Sequence, residues 1–222
     1  MIKKFELDLS SKITFLGIEL FRIKALISFG NVKEGEIGGY VEKGENLSHS
    51  GNAWVSGDAR VYGDAMVSGD AEVSGDAEVY GDAWVYGNAW VSGDARVYGN
   101  AWVSGDARVY GNAEVSGDAR VYGNAEVSGD ARVYGDAEVY GDARVYGDAE
   151  VSKLDDYIVF KNTWSSGRYF TYTRSNKMWK GGCFCGTGEE LIKKAYQDSE
   201  DSGKHYEAYV NFVKTLEAMD EN

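Results

Sequence analysis

From Gly51 to Ser152 the chain repeats one six-residue pattern of apolar and polar positions, G-[DN]-A-x-V-[SY], 17 times without an insertion. Within each unit Ala, a variable residue, Val and then Ser or Tyr alternate between two sides, the period of a strand with Ala and Val on one face. Gly followed by Asp or Asn supplies a corner, because these residues tolerate the backbone angles of a sharp turn. Ala and Val are the only inward side chains, so the enclosed space is narrow and one coil cannot bury its own apolar face. Stacked coils can.

The variable position decides how many hexads close a coil. It reads Trp54, Arg60, Met66, Glu72, Glu78, Trp84, Trp90, Arg96 and Trp102, then alternates from Arg108 through Glu114, Arg120, Glu126, Arg132, Glu138 and Arg144 to Glu150. Two hexads per coil would stack Arg96, Arg108, Arg120, Arg132 and Arg144 on one another, and like charges in register are destabilising. Three hexads per coil stack Arg60, Glu78, Arg96, Glu114, Arg132 and Glu150 into an alternating ladder, each step worth ~0.2–1 kcal/mol. The same register places Asn52, Asp70, Asn88, Asp106, Asn124 and Asp142 at one corner, which dilutes carboxylate repulsion. The expected fold is mainly β, a three-sided parallel β-helix of hexapeptide repeats.

Three segments are expected: an N-terminal β cap (1–50), the repeat β-helix (51–152) and a small α+β module (153–222). In the cap, strands around Phe5–Leu9 and Ile13–Leu26 turn at Leu16-Gly17 and cover the open end of the solenoid. Glu45–Ser50 can be fitted as an eighteenth, degenerate hexad with Leu47 in the Ala slot and His49 in the Val slot, which would make six full coils. After Ser152, YIVFKN, RYFTYTRS and MWKGGCFC read as three strands. Thr187-Gly-Glu-Glu190 is a capping box opening a helix with Leu191, Ile192, Ala195 and Tyr196 on one side. A second helix carries Tyr206, Tyr209, Val210, Val213 and Leu216.

Composition sharpens this picture. There are 29 Gly and no Pro, and the net charge is −13. Direct binding to nucleic acid is disfavoured by that charge. The hexads hold 12 Asp, 6 Glu and 6 Arg, a net −12. Six coils at ~4.8 Å give a rod of about 29 Å, hence roughly one negative charge per 2.4 Å, against about one per 1.7 Å along duplex DNA. No apolar stretch reads as a signal peptide or membrane span, so a cytoplasmic location is expected. Cys183 and Cys185 would share one face of a strand, fit reduced thiols, and fall short of a zinc set.

The repeat resembles the left-handed β-helix hexapeptide-repeat superfamily, whose units carry an aliphatic residue with a small residue four positions later, here Val61 to Ala65 and Val67 to Ala71. Left-handedness is implied by that resemblance. Tyr or Ser after each Val departs from it, since enzyme members often have a small residue there. The flanks, from ALISFGNVKEGEIGGYVEKG and from DDYIVFKNTWSSGRYFTYTRS onward, look like a phage and prophage branch often labelled acyltransferase. The resemblance implies a bacterial host cell and a homo-oligomer, usually a trimer. An acyltransferase of this kind would use a His as general base on an acyl-CoA held between subunits. His49 is the one candidate base, and packing at the solenoid end is its competing role.

No metal or cofactor is expected. Asp58, Asp76, Asp94, Asp130 and Asp148 form an acidic surface column, with turn formation and solubility as its plainer explanation. Met66, Trp84 and Trp102 stack at 18-residue spacing, followed by Arg120 within reach of a cation–π contact. With Trp54 and Trp90 these residues form the candidate partner-binding set. The expected function is a non-catalytic interaction rod of phage type that blocks a host nucleic-acid-binding protein, for example an anti-CRISPR. An acyl-CoA-dependent acyltransferase and a trimeric spacer or polymer-forming element are the alternatives.

Overall fold

The computed structural model describes residues 2–220 and is a parallel β-solenoid of about six turns, with a β cap before it and a sheet with two helices after it. Each hexad contributes a short strand at its x-V pair, and strands three hexads apart pair in parallel. Arg96 lies opposite Glu78 on one side and Glu114 on the other. Three faces result. The first stacks Arg60, Glu78, Arg96, Glu114, Arg132 and Glu150. The second stacks Met66, Trp84, Trp102, Arg120 and Glu138. The third stacks Trp54, Glu72, Trp90, Arg108, Glu126 and Arg144.

Every Ala and Val of the hexads is at most 1% exposed, so the core is a continuous column of small and β-branched side chains. Coil-to-coil hydrogen bonds recur at a 17-residue offset, as in Arg96 N–H to Ala113 O at 2.9 Å and Asp94 N–H to Gly111 O at 2.9 Å. The corner glycines stack as well. Gly87 has φ +73°, and a Cβ there would stand 2.9 Å from the backbone nitrogen of Gly105. Left-handed backbone and close approach of the next coil both exclude a side chain.

The cap is a hairpin of β1 (Phe5–Phe15) and β2 (Ile18–Ala25). Leu16 and Gly17 both adopt positive φ at its turn, the pairing favoured by tight hairpins. β2 pairs with β3 (Ile37–Val41), which begins the first face by lying alongside Arg60 and Val61.

The degenerate hexad departs from its expected register. Leu47 pairs with Val67, so it occupies the Val slot rather than the Ala slot. The offset in this coil is two residues longer than in the rest, and the excess is absorbed between Leu47 and Ala53. His49 falls in that excess and sits at a corner, not in the core column.

After the solenoid, four antiparallel strands form one sheet: β4 (Tyr157–Lys161), β5 (Tyr169–Thr173), β6 (Met178–Gly181) and β7 (Phe184–Gly186). MWKGGCFC is thus two strands rather than one, because Gly182, at φ +55°, turns the chain. Cys183 lies in that turn and Cys185 on β7 opposite Lys180, so the two thiols do not share a strand face. Both are free, and burial pushes the Cys185 thiol up. The capping box is present: Thr187 Oγ1 accepts from Glu190 N–H, and Glu190 accepts from Thr187 N–H. It opens α1 (Gly188–Asp198), and α2 (Glu200–Asp220) follows. No helix among the described residues is long and apolar enough to cross a membrane.

Candidate interaction surfaces

The outward side chains of the first face form the charge ladder. Ion pairs close between Arg60 and Glu78 at 3.3 Å, Arg96 and Glu114 at 3.5 Å, and Arg132 and Glu150 at 3.5 Å. Each Arg therefore reaches toward the following coil. Arg120 pairs with Glu138 and Arg144 with Glu126 on the other faces.

Tyrosines at the neighbouring corner add an element that sequence reasoning passed over. Tyr62, Tyr80 and Tyr98 stack with ring centroids 5.0 Å apart and planes within 2° of parallel. Their signal was the same 18-residue spacing, present in the position after Val. Tyr62, Tyr98 and Tyr122 donate to Glu78, Glu114 and Glu138, which binds the glutamates from a second direction. Burial, then the Glu78 charge, pushes the Tyr62 phenol far above its ordinary range.

On the second face Trp84 and Trp102 stack at 5.7 Å and 12°, and the Arg120 guanidinium lies 5.4 Å over Trp102. Met66 precedes them on the same face. Trp84 is 44% exposed and Trp102 39%. Trp102 is flanked by Trp84 on one side and Arg120 on the other, whereas Trp84 has one face against Trp102. Trp90 is exposed on the third face. Trp54 is not available as a partner contact: it is 5% exposed and packs edge-on against Phe29 of the cap at 5.5 Å. Its outward parity is as expected, but the loop between β2 and β3 covers it.

The acidic column is only partly free. Arg22 donates to Asp58 at 2.7 Å, Asn112 to Asp130 at 2.8 Å and Asn176 to Asp148 at 3.1 Å. Asp76 and Asp94 stand exposed on successive coils between them. At the other corners Asn52, Asn88, Asn100 and Asn124 donate to the aspartate 18 residues on, so asparagine both dilutes and satisfies carboxylates.

His49 is committed to packing. Its ring stacks on Phe5 at 4.3 Å, and Nδ1 accepts the Lys4 backbone N–H at 3.2 Å. Burial and then the charges of Lys4 and Lys3 push its pKa down. A neutral ring accepting at Nδ1 carries its proton on Nε2, which leaves no free lone pair for a general base. His205 stacks on Trp164 in the C-terminal module.

Side chains close both solenoid ends. At the first coil Lys4 Nζ donates to Gly51 O at 3.3 Å and Ala53 O at 2.8 Å. Arg22 donates to Gly57 O at 2.9 Å, and Asn46 to Gly63 O and Ala65 O at 3.1 and 2.8 Å. Each corner of the carbonyl rim thus has a donor. At the last coil Thr171 accepts from Arg144 N–H at 2.9 Å and Ser175 from Glu150 N–H at 2.7 Å.

Comparison with known families gives a match within the hexads. Residues 59–75, 89–105, 107–123 and 119–135 are similar to the YdcK beta solenoid repeat. Each matched segment begins on the Ala of a hexad, and together they identify a β-solenoid repeat protein over part of the hexad region. No curated protein matches the chain.

Proposed function

We propose that this protein is a non-catalytic interaction rod whose carboxylate corners dock a cationic protein surface, of the kind that otherwise binds nucleic acid. The observation that carries the reading is how the charges are divided. Five of the solenoid arginines are engaged by glutamates in the ladders. Of the 12 hexad aspartates, Asp58 and Asp64 alone form ion pairs among the described residues, with Arg22 and Lys43 of the cap. The other ten form no ion pair among the described residues, although Asp70 stands near enough to Lys4 to feel its charge, and they project from coils tied together by backbone hydrogen bonds. A cationic protein surface would release its own counterions on binding and gain affinity at low salt. In its finer form the partner is a host defence protein, and the rod competes with nucleic acid for its groove.

The test is competition. Labelled duplex bound to a basic nucleic-acid-binding protein, a CRISPR effector among the panel, should be displaced by the rod, less effectively as salt rises. Replacing Asp76, Asp82, Asp94 and Asp136 by Asn should weaken displacement at least about tenfold with the fold intact. Displacement that ignores salt and these substitutions, or none across the panel, defeats the proposal.

A further inference from the structure

The C-terminal module contains a cavity that the solenoid reading does not use. It encloses about 260 Å³ between the Gly181-Gly182-Cys183 turn and the two helices. Phe170, Trp179 and Leu191 form a buried apolar floor, and Phe184 and Tyr206 are its half-buried walls. Three cationic residues, Arg168, Lys180 and Lys194, line it with one carboxylate, Asp198. None of the four forms an ion pair among the described residues. Lys180 Nζ lies 4.2 Å from the Tyr146 ring centroid, and Arg168 also borders a neighbouring hollow with Asp142, so Lys194 and Arg168 share Asp198 and Asp142 without closing an ion pair to either among the described residues. The Tyr206 hydroxyl accepts from Asn162 at 3.3 Å, and its own proton has no acceptor among the described residues.

Convergent like charges repel unless an anion sits between them. A concave apolar floor with a few polar groups is the usual make-up of a small-ligand site, and this one lies just below the usual size range. Arg168 offers a fork suited to a carboxylate, and Asp198 on the same rim counts against a dianion such as phosphate. We propose that this cavity binds a carboxylate carried on an aromatic or aliphatic group, its apolar part on the Trp179 floor and its oxygens between Arg168 and Lys194. Such a group could be a free small acid or the terminal residue of a peptide chain.

Calorimetry on the full chain separates these cases. Phenylacetate and a Gly-Gly-Phe peptide with a free carboxyl end are compared with phenylacetamide, the amidated peptide and phenyl phosphate. At least one acid should bind, its neutral amide at least about tenfold more weakly. Arg168→Gln and Lys194→Gln should each produce a similar loss without shifting the melting temperature. Cys183 is exposed on the rim, so alkylation of its thiol should slow when the acid is bound. Tighter binding of the peptide assigns the site to chain ends, and tighter binding of phenylacetate to free acids. No binding up to about 10 mM, equal binding of the amides, or preference for phenyl phosphate overturns the proposal. None of these outcomes bears on the solenoid corners, so the two proposals fail separately.

Discussion

Lys4 offers a direct test of how the carbonyl rim is sealed. Its side chain is 2% exposed, its ammonium donates to Gly51 O and Ala53 O, and it lies 4.6 Å from the Phe29 ring centroid. Burial lowers its pKa from 10.5 to about 8, with Asp70 opposing part of the shift. A lysine whose folded pKa lies below its unfolded value holds fewer protons folded than unfolded between the two. Stability therefore rises with pH across that window, and the full cost of the buried charge is felt below pH 8. With one pKa unit worth 1.36 kcal/mol, the linkage gives a gain of about 2 kcal/mol between pH 7 and pH 9.5. For a chain of this size that is about 4–8 °C in Tm.

The assay is thermal unfolding followed by circular dichroism at pH 7 and pH 9.5, for the wild-type chain and Lys4→Met. Burial pushes Tyr157 up to about 12, and Tyr62 and Tyr172 higher still. These phenols stay protonated in the fold, so their contribution is lost only as pH rises above 10, outside the window. Cys185 titrates in both proteins and cancels in the difference. Lys4→Met also leaves two carbonyls without a donor, at about 1–3 kcal/mol each, so its absolute stability at pH 7 is not diagnostic. The difference in slope is. If wild type and Lys4→Met show the same change in Tm between the two pH values, the ammonium is not buried on the rim.

Four further outcomes are expected. Arg96→Glu should lower Tm and Glu114→Arg should partly restore it, with a coupling of about 0.5 kcal/mol in a double-mutant cycle; zero coupling would contradict the ladder. His49→Ala should cost about 1 kcal/mol through the lost Phe5 stack and the unpaired Lys4 N–H, and should alter no acetyl-CoA turnover; His49-dependent acyl transfer would restore the enzyme reading. Thr171→Val with Ser175→Ala should lower Tm and let the last coil associate with other copies in sedimentation, and an unchanged oligomeric state would show that these side chains do not guard the edge. Trp84→Ser with Trp102→Ser should leave the solenoid folded, and if oligomeric state and partner capture both persist, the stripe is no interface.

The repeat could be read to the residue because its period is written twice, once in the alternating Arg and Glu and once in the Asn and Asp of one corner. Both depend only on nearest neighbours along the rod, which is why no distant contact could overturn them. The first coil lacks that redundancy. Leu47 and His49 were two residues apart with no charge to fix either, and the extra length in the corner shifted the register. Trp54 was placed outward correctly by parity, yet its burial depends on Phe29 and a loop with no pattern of its own. In MWKGGCFC the Gly-Gly pair is a turn signal, and it was overridden by the apolar run around it. The cavity rim was invisible because Arg168, Lys180 and Lys194 come from a loop, a strand and a helix.

Closed ends also narrow the ways this rod can engage anything. Lys4, Arg22 and Asn46 occupy the carbonyl rim, and Thr171 and Ser175 occupy N–H groups of the last coil, so growth by stacking copies would first have to displace them. This weighs against the polymer-forming alternative and leaves lateral contact. Along the sides, the ladders already bind arginine to glutamate, while Asp76 and Asp94 stand on consecutive coils at the spacing of parallel strands, about 4.8 Å. A disordered acidic tail could offer the same charge, but it would lose conformational freedom on binding. Here the coil-to-coil backbone hydrogen bonds have fixed the positions from which Asp76 and Asp94 project. A cationic partner would therefore meet carboxylates at a regular interval, and its affinity should depend on whether its own charges match that spacing as well as on their number. A basic peptide of scrambled order and equal charge should then bind more weakly than one whose cations recur at the matching interval, and equal binding by the two would reduce the corners to a diffuse charge.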